Sequence, residues 1–172
     1  MNDPRIYEFE GDTPTIDADA HVSQMSTLVG DVRVAANASV WPGVVLRGDI
    51  GSVRIGAESH VADNAVLHAS TIGNRVMVGH GSVLNEAVVE DSTLIGFNAT
   101  INTDVTVGER SIVAAGCVVP EGRDIPPESF VRGVPAEVTP LSEAGIDIDE
   151  LLSKYSATEY TELAERHAEL FE

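Results

Sequence analysis

The chain has 172 residues, of which 43% are hydrophobic but only 5% are aromatic. This length suits one domain whose core is built from small and branched aliphatic side chains. The formal net charge is −18, from 28 acidic residues against ten basic ones. A surface of this charge repels the phosphates of nucleic acids and anionic lipids, which excludes both as partners.

Nine of the ten basic residues are arginine, and the single lysine is Lys154. An acid-rich, lysine-poor surface is typical of proteins from salt-accumulating halophiles, in which salt screens the self-repulsion. An ordinary acidic cytosolic protein is the alternative. The first residues lack the apolar segment of a signal peptide, and no apolar run approaches the length of a membrane span. The sequence therefore predicts a cytoplasmic protein without membrane contact and favours a halophilic source.

Branched aliphatic residues recur every six positions through most of the chain, with two steps of five and one of nine. The positions are Ile16, Val22, Leu28, Val34, Val40, Leu46, Ile55, Val61, Leu67, Ile72, Val78, Leu84, Val89, Ile95, Ile101, Val107, Val113 and Val119. A small residue often follows four positions later. This period is typical of a parallel β-helix, in which three hexapeptides make one triangular coil and the aliphatic side chains point inward.

The repeat predicts a β-helix domain over residues 1–140, with repeats over about 16–120, about six coils, and an extended exit segment over 120–140. Residues 48–54, where the step lengthens to nine, are predicted to protrude as a small loop. Asp147 or Asp149 is predicted to N-cap a C-terminal α-helix. Residues 141–172 would then pack as a helix along the prism, as part of the same domain.

Stacking of equivalent positions predicts two columns of polar side chains. The first column contains Arg47, His68, Asn85 and Asn102. The second contains Asp63, His80 and Phe97. Because successive coils are ~4.8 Å apart, His68 and Asn85 can reach one metal ion. His80 lies on a different face and cannot easily join them within one chain, but it could join them from a neighbouring chain of a cyclic trimer.

At these residues the chain resembles the γ-class carbonic anhydrases, within the wider family of hexapeptide-repeat proteins that includes acyltransferases. The resemblance runs from about residue 16 to the end and is carried by residues 40–49, 66–68, 78–81 and 133–136, including the sequences LRGD and GHG. It implies a left-handed β-helix and a homotrimer. It also implies Zn²⁺, or Fe²⁺ or Co²⁺, held by three histidines at each subunit interface.

The resemblance implies that His68 and His80 are the first two metal ligands, the latter donated by the adjacent subunit. Asn85 stands where the third histidine is expected. It is interpreted either as a substitute ligand or as part of a hydrogen-bonded asparagine ladder with Asn102. His60 is a second candidate for the missing ligand, against the alternative of an exposed corner histidine.

The resemblance also places Arg47 and Asp49 at the interface, with the arginine near the bicarbonate site. It gives Asp63 as an active-site acid, although the glutamine that usually precedes it is Ala62 here, and it places Tyr160 on a helix that can approach the site.

The implied activity is metal-dependent, reversible hydration of CO₂ to bicarbonate, which the loss of one histidine would impair. One alternative is a catalytically weak or inactive homologue that binds metal or acts as a scaffold. Another is a hexapeptide acyltransferase, which needs a catalytic histidine and a long pantetheine groove. No loop insertion long enough to build such a groove is visible in the sequence.

Overall fold

The chain winds into a parallel β-solenoid of about seven turns. The structure, a computed structural model, describes residues 5–154, 162–164 and 166–167. Each turn adds a short strand to each of three faces, and equivalent strands of successive turns pair in parallel register, as residues 66–68 do with residues 83–85. The parallel β-helix expected from the period of six is therefore confirmed.

The three faces are formed as follows. Face 1 contains β1 (Arg5–Tyr7), the first parts of β4 (Thr27–Val34) and β6 (Val45–Ile55), β8 (Val66–His68), β11 (Val83–Asn85), β14 (Thr100–Ile101) and β17 (Val118–Val119). Face 2 contains β2 (Thr15–Ile16), the last parts of β4 and β6, β9 (Thr71–Ile72), β12 (Val88–Val89), β15 (Thr106–Val107) and β18 (Asp124–Ile125). Face 3 contains β3 (His21–Val22), β5 (Ser39–Val40), β7 (His60–Val61), β10 (Met77–Val78), β13 (Leu94–Ile95), β16 (Ile112–Val113), β19 (Ser129–Arg132) and β20 (Glu137–Pro140).

The aliphatic residues of the six-residue period fill the interior of the solenoid. From Leu28 to Val119 each of them is at most 2% exposed, whereas Ile16 and Val22 of the first turn are only partly buried. The small residues four positions later, such as Ala65 and Ala99, are also buried. Each buried aliphatic side chain contributes ~1.5–3 kcal/mol relative to an exposed one, so this stacked column is the main source of stability.

Many corners turn at a residue with a left-handed backbone, placed directly before the buried small residue. Asn64, Gly81 and Asn98 are examples, with φ of 60°, 68° and 54°. Glycine and asparagine adopt this conformation at the least steric cost, so the sequence itself marks these corners. The corner at Gly81 ends the segment that carries His80.

The interruption of the repeat is not a separate protruding loop, so that prediction is wrong. β6 runs through it and pairs with β4 on both sides, and the register shifts between Gly30 and Val32. Residues 49–52 form a bulge within this long strand, with Ile50 77% exposed. Gly48 lies so close to the backbone of Asp31 that a Cβ would collide with it. The bulge lies where β6 passes from face 1, beside β8, to face 2, beside β9.

The repeat also continues beyond residue 120, so the extended exit segment predicted over 120–140 is wrong. β18 pairs with β15, and β19 pairs with β16, both in parallel. The prolines at 120, 126 and 127 stand between these strands, where the ladder requires no amide donor. β20 then pairs antiparallel with β19 and ends the sheet of face 3. This additional turn raises the count above the six expected coils.

Helices follow the solenoid and pack on face 3, as predicted. They are α1 (Leu141–Ala144) and α2 (Ile148–Lys154), and residues 162–164 and 166–167 are also helical. The carboxylate of Asp147 caps α2 by accepting hydrogen bonds from the amides of residues 149 and 150 at 2.9 and 3.1 Å. Leu141 and Ile148 pack against Ile112 of face 3. Residues 145–147 are not helical and interrupt the predicted helix, and its remaining residues lie outside the described ones. Within the described ranges, no helix is long and apolar enough to cross a membrane.

Candidate metal centre

The first predicted column exists on face 1. His68 is in register with Arg47 on one side and with Asn85 on the other. His68 and Asn85 end their strands on face 1, where the chain turns toward face 2, whereas Arg47 lies within β6. The strand alternation that buries Leu67 at 0% exposure turns the neighbouring residue His68 outward, so its imidazole lies on the surface of the prism.

Asn85 holds the ring of His68 in one tautomer. Its amide nitrogen donates a hydrogen bond to Thr103 Oγ1 at 2.8 Å, and its amide oxygen lies 2.8 Å from His68 Nδ1. Since the oxygen can only accept, Nδ1 carries the proton and the lone pair of the neutral ring is on Nε2. The expected ladder with Asn102 does not form, because the amide of Asn102 donates to the carbonyl of Val119 at 2.7 Å.

The Nε2 atom of His68 faces a carboxylate and a guanidinium. Asp49 Oδ1 lies 3.1 Å from Nε2, and Arg47 Nη2 lies 3.2 Å from it. Arg47 Nε also lies 3.2 Å from Asp49 Oδ1, so one guanidinium contacts both acceptor atoms. The side chains of His68 and Asp49 are 13% and 22% exposed, whereas that of Arg47 is 49% exposed. The bulge in β6 is what brings Asp49 to this point.

The second predicted column lies at the opposite edge of face 1, where the chain arrives from face 3. His80 Nδ1 is 3.0 Å from Asp63 Oδ2, and the His80 ring packs 5.1 Å from the ring of Phe97, centroid to centroid. Donation from Nδ1 to the carboxylate leaves the lone pair of neutral His80 on Nε2. The His80 side chain is 55% exposed, so this atom is accessible.

The donor chemistry of the two histidines fits a divalent metal ion. Each imidazole donates through Nδ1 to an oxygen acceptor, Asn85 or Asp63, and this second hydrogen bond is the one that metal-ligating histidines almost always make. Neutral imidazole nitrogens suit zinc and iron. Within the described part of a single chain, no group of three His, Cys, Asp or Glu residues could hold a metal.

His60 does not belong to this centre, contrary to the suggestion that it substitutes for a missing ligand. It is on face 3 and only 1% exposed, so the interpretation as an exposed corner histidine is also wrong. Trp41 Nε1 donates to Ser39 Oγ at 2.8 Å, and Ser39 Oγ shares a hydrogen bond of 2.6 Å with His60 Nδ1. Tyr160, the remaining predicted site residue, lies outside the described residues.

Burial of His60 predicts a pH-dependent stability. It lowers the pKa of His60 from 6.5 to about 4, because the charged imidazolium is disfavoured in the interior. The unfolded chain therefore binds more protons between these values. The stabilisation is complete above pH 6.5 and is lost as the pH falls toward 4, by about 3 kcal/mol in total. Urea unfolding of the native protein and of His60→Gln should show this difference, and parallel pH profiles would contradict it.

The surface of face 1 between the two columns is aliphatic. Its outward positions in successive turns are Val45, Val66, Val83, Thr100 and Val118. Val83 is 41% exposed and the others are half-buried. By contrast, Leu141 of α1 and Ile148 of α2 pack on the part of face 3 around Ile112. Face 1 therefore combines an apolar strip with a histidine at each edge.

Comparison with known proteins places the chain in a family. The sequence family described as "Bacterial transferase hexapeptide (six repeats)" matches residues 86–121. The chain is 36% identical over 157 residues to "Probable carbonic anhydrase" of Methanocaldococcus jannaschii, which covers 87% of this chain and 96% of that relative. The chain belongs to the γ carbonic anhydrase family of hexapeptide-repeat proteins. The resemblance carried by the LRGD and GHG sequences is thereby confirmed.

Two further relatives show the breadth of this family. The chain is 34% identical over 167 residues to "Gamma carbonic anhydrase 1, mitochondrial" of Arabidopsis thaliana, which covers 90% of this chain but only 59% of the plant protein. The chain thus spans less than two thirds of the length of that relative. The crystal structure of a hexapeptide transferase family protein from Anaplasma phagocytophilum superposes with a TM-score of 0.87 at 27% identity, over 96% of this chain and 98% of the other.

Proposed function

We propose that the chain forms a homotrimeric, metal-dependent enzyme that reversibly hydrates CO₂ to bicarbonate at sites shared between subunits. Each interface would hold one Zn²⁺, or Fe²⁺ or Co²⁺. The observation that carries the proposal is the placement of His68 and His80 at opposite edges of face 1. In each, Nδ1 is hydrogen-bonded to an oxygen acceptor, which leaves Nε2 for a metal. Family membership supports the same chemistry.

The placement of the two histidines supports the proposed trimer. A cyclic arrangement brings one edge of face 1 beside the opposite edge of face 1 in the next subunit. His68 would then meet His80 of the partner subunit, and the valine strip would be buried between the chains. Burial of Val83, which is 41% exposed in the single chain, would contribute to association.

The remaining residues have separable roles in this proposal. When bound, a divalent cation would lower the pKa of a bound water molecule from its bulk value to about 7, which makes hydroxide available for attack on CO₂ at neutral pH. Asn85 and Asp63 orient the two imidazoles. Arg47 supplies a positive charge beside the site, where it would stabilise bicarbonate. Tyr160 is proposed to approach the site from the C-terminal segment.

The proposal is tested on protein purified without chelators. Elemental analysis should find one divalent metal per chain, and stopped-flow assays should show CO₂ hydration above the buffer rate, increased by added Zn²⁺, Fe²⁺ or Co²⁺. A trimer that binds metal but does not accelerate hydration would overturn the enzymatic proposal and favour the scaffold homologue.

A second candidate function, acyl transfer, is favoured by one feature of face 3. A groove of about 280 Å³ opens beside His80, lined by apolar residues that include Met77, Phe97 and Leu151. Leu151 of α2 contributes to one wall of this groove. A histidine oriented by Asp63 beside an apolar groove could act as a general base. Calorimetric titration with acetyl-CoA tests this candidate, and the absence of binding would eliminate it.

A further inference from the structure

We infer that Asp49 supplies the third metal ligand that the chain lacks at position 85. The centre would then consist of His68 Nε2, Asp49 Oδ1 and Nε2 of His80 of the partner subunit. This inference rests on the proposed function, because it names a ligand of the same site. It gives Asn85 a different role, that of a positioning residue for His68.

The contacts of Asn85 do not suit a ligand of the same ion as His68. Its amide oxygen lies 2.8 Å from Nδ1 of His68, and its amide nitrogen donates to Thr103. A metal bound by His68 must lie beyond Nε2, because Nδ1 carries the proton. Nδ1 and Nε2 lie on different edges of the His68 ring. The Asn85 oxygen, which contacts Nδ1, is therefore on the side of the ring away from a metal bound to Nε2. To bind the ion, Asn85 would have to release the histidine that it orients.

Asp49 lies on the correct edge of the ring. Its Oδ1 atom is 3.1 Å from His68 Nε2. Zinc binds histidine nitrogen and carboxylate oxygen at ~2.0–2.2 Å, so two such ligands of one tetrahedral ion are roughly 3.3–3.5 Å apart. The observed pair of atoms therefore needs to separate by only tenths of an ångström to hold one ion.

A cation already occupies the space beside this pair. The guanidinium of Arg47 contacts both His68 Nε2 and Asp49 Oδ1, each at 3.2 Å. A divalent cation needs electron-pair donors that point toward one position, and His68 Nε2 and Asp49 Oδ1 both point toward this positive charge. Arg47 is half-exposed, so it can move aside when an ion binds and remain close enough to pair with an anionic product.

The interruption of the hexapeptide repeat gives this ligand its position. In an uninterrupted repeat, the residue two after Arg47 would enter the corner toward face 2. Here the bulge of residues 49–52 holds Asp49 beside the end of β8. Two histidines and one carboxylate form a donor set used by catalytic zinc and non-haem iron sites. The chain thus compensates for the missing imidazole with a carboxylate from its own bulge.

The test compares Zn²⁺ dissociation constants, measured by chelator competition, for Asp49→Asn, Asn85→Ala and Asn85→Asp. Asp31→Asn is the matched control, since Asp31 is also a carboxylate paired with an arginine, at 2.7 Å from Arg54. Removing an outer hydrogen bond to a metal ligand costs ~10–100-fold in affinity. We therefore expect Asn85→Ala to lose ~10–100-fold in Zn²⁺ affinity and Asn85→Asp to recover it. Asp49→Asn should lose more affinity than Asn85→Ala, and Asp31→Asn should bind Zn²⁺ as tightly as the native protein.

The visible absorption of the Co²⁺-loaded protein gives a readout that is independent of activity. Asp49→Asn should change the d–d bands, because a direct ligand changes, whereas Asn85→Asp should preserve them. Wild-type affinity and an unchanged Co²⁺ spectrum in Asp49→Asn would overturn the inference while leaving the proposed function standing. If the native protein binds no divalent metal, or if His68→Ala binds it equally well, the proposed function fails and the inference fails with it.

Discussion

Replacing His68 with alanine is expected to abolish metal binding and to lower CO₂ hydration to the rate of the buffer, a loss on the order of 10³-fold or more. His68 is the only residue whose ring touches Arg47, Asp49 and Asn85 together within the described part of the chain. Its removal eliminates a direct ligand and also the group that Asn85 orients. Elemental analysis and stopped-flow assays of the purified variant measure both effects.

His21→Ala is the matched control for this experiment. His21 is another partly buried histidine, but it lies on face 3, with its ring 5.9 Å from that of Trp41, centroid to centroid. This variant should retain the metal content and rate of the native protein. Stoichiometric metal in His68→Ala would contradict the assignment of His68 as a ligand.

Replacing Val83 with aspartate is expected to dissociate the trimer and to remove the metal at the same time. Val83 projects from the middle of the aliphatic strip on face 1, so the variant places an unpaired carboxylate in each proposed interface. Burying an unpaired charge costs several kcal/mol, and each 1.4 kcal/mol weakens an association about tenfold. Sedimentation velocity should therefore show monomers, and elemental analysis should show protein without bound metal.

Val88→Asp separates this effect from a general loss of stability. Val83 and Val88 are both 41% exposed and lie in consecutive strands of the chain, β11 on face 1 and β12 on face 2. Val88 is on face 2, outside the proposed interface, so Val88→Asp should remain a trimer that binds metal. Dissociation of both variants, or of neither, would contradict face 1 as the interface.

The fold could be predicted from the sequence because every turn of the solenoid has the same local packing requirements. An aliphatic residue must point inward once per face, and a small residue must fit where the chain turns. Both requirements are therefore visible in the sequence as a repeat of six residues. Asparagine and glycine before the small residue, as at Asn64, Gly81 and Asn98, are a further signal, since they mark the left-handed corners.

The departures from the repeat could not be predicted in the same way. A step of nine residues between Leu46 and Ile55 is compatible with a loop or with a bulge. The choice depends on the close approach of Gly48 to the backbone of Asp31, a contact between different turns. Similarly, prolines after residue 119 suggested an end to the coil, but Pro120, Pro126 and Pro127 lie between strands, where no ladder hydrogen bond is lost.

In the candidate site, too, some neighbours could be predicted from the repeat and others could not. Stacking predicted that Arg47, His68 and Asn85 are neighbours, because register depends only on counting residues along the repeat. Counting did not predict that Asp49 would lie beside His68 Nε2, since its position depends on the bulge. Nor did it predict Thr103 as the acceptor that fixes the amide of Asn85, because side-chain rotamers decide that contact.

The most direct test of a shared metal centre is co-expression of His68→Ala and His80→Ala chains with different affinity tags, followed by purification of mixed trimers. Each variant alone should bind no metal. In each purified mixed trimer, one of the three interfaces would pair an intact His68 with an intact His80 of the partner subunit, which is about one third of the sites. We predict that metal content and CO₂ hydration recover to about that fraction of the native values. Mixed trimers with no more metal or activity than either parent would contradict a site shared between subunits.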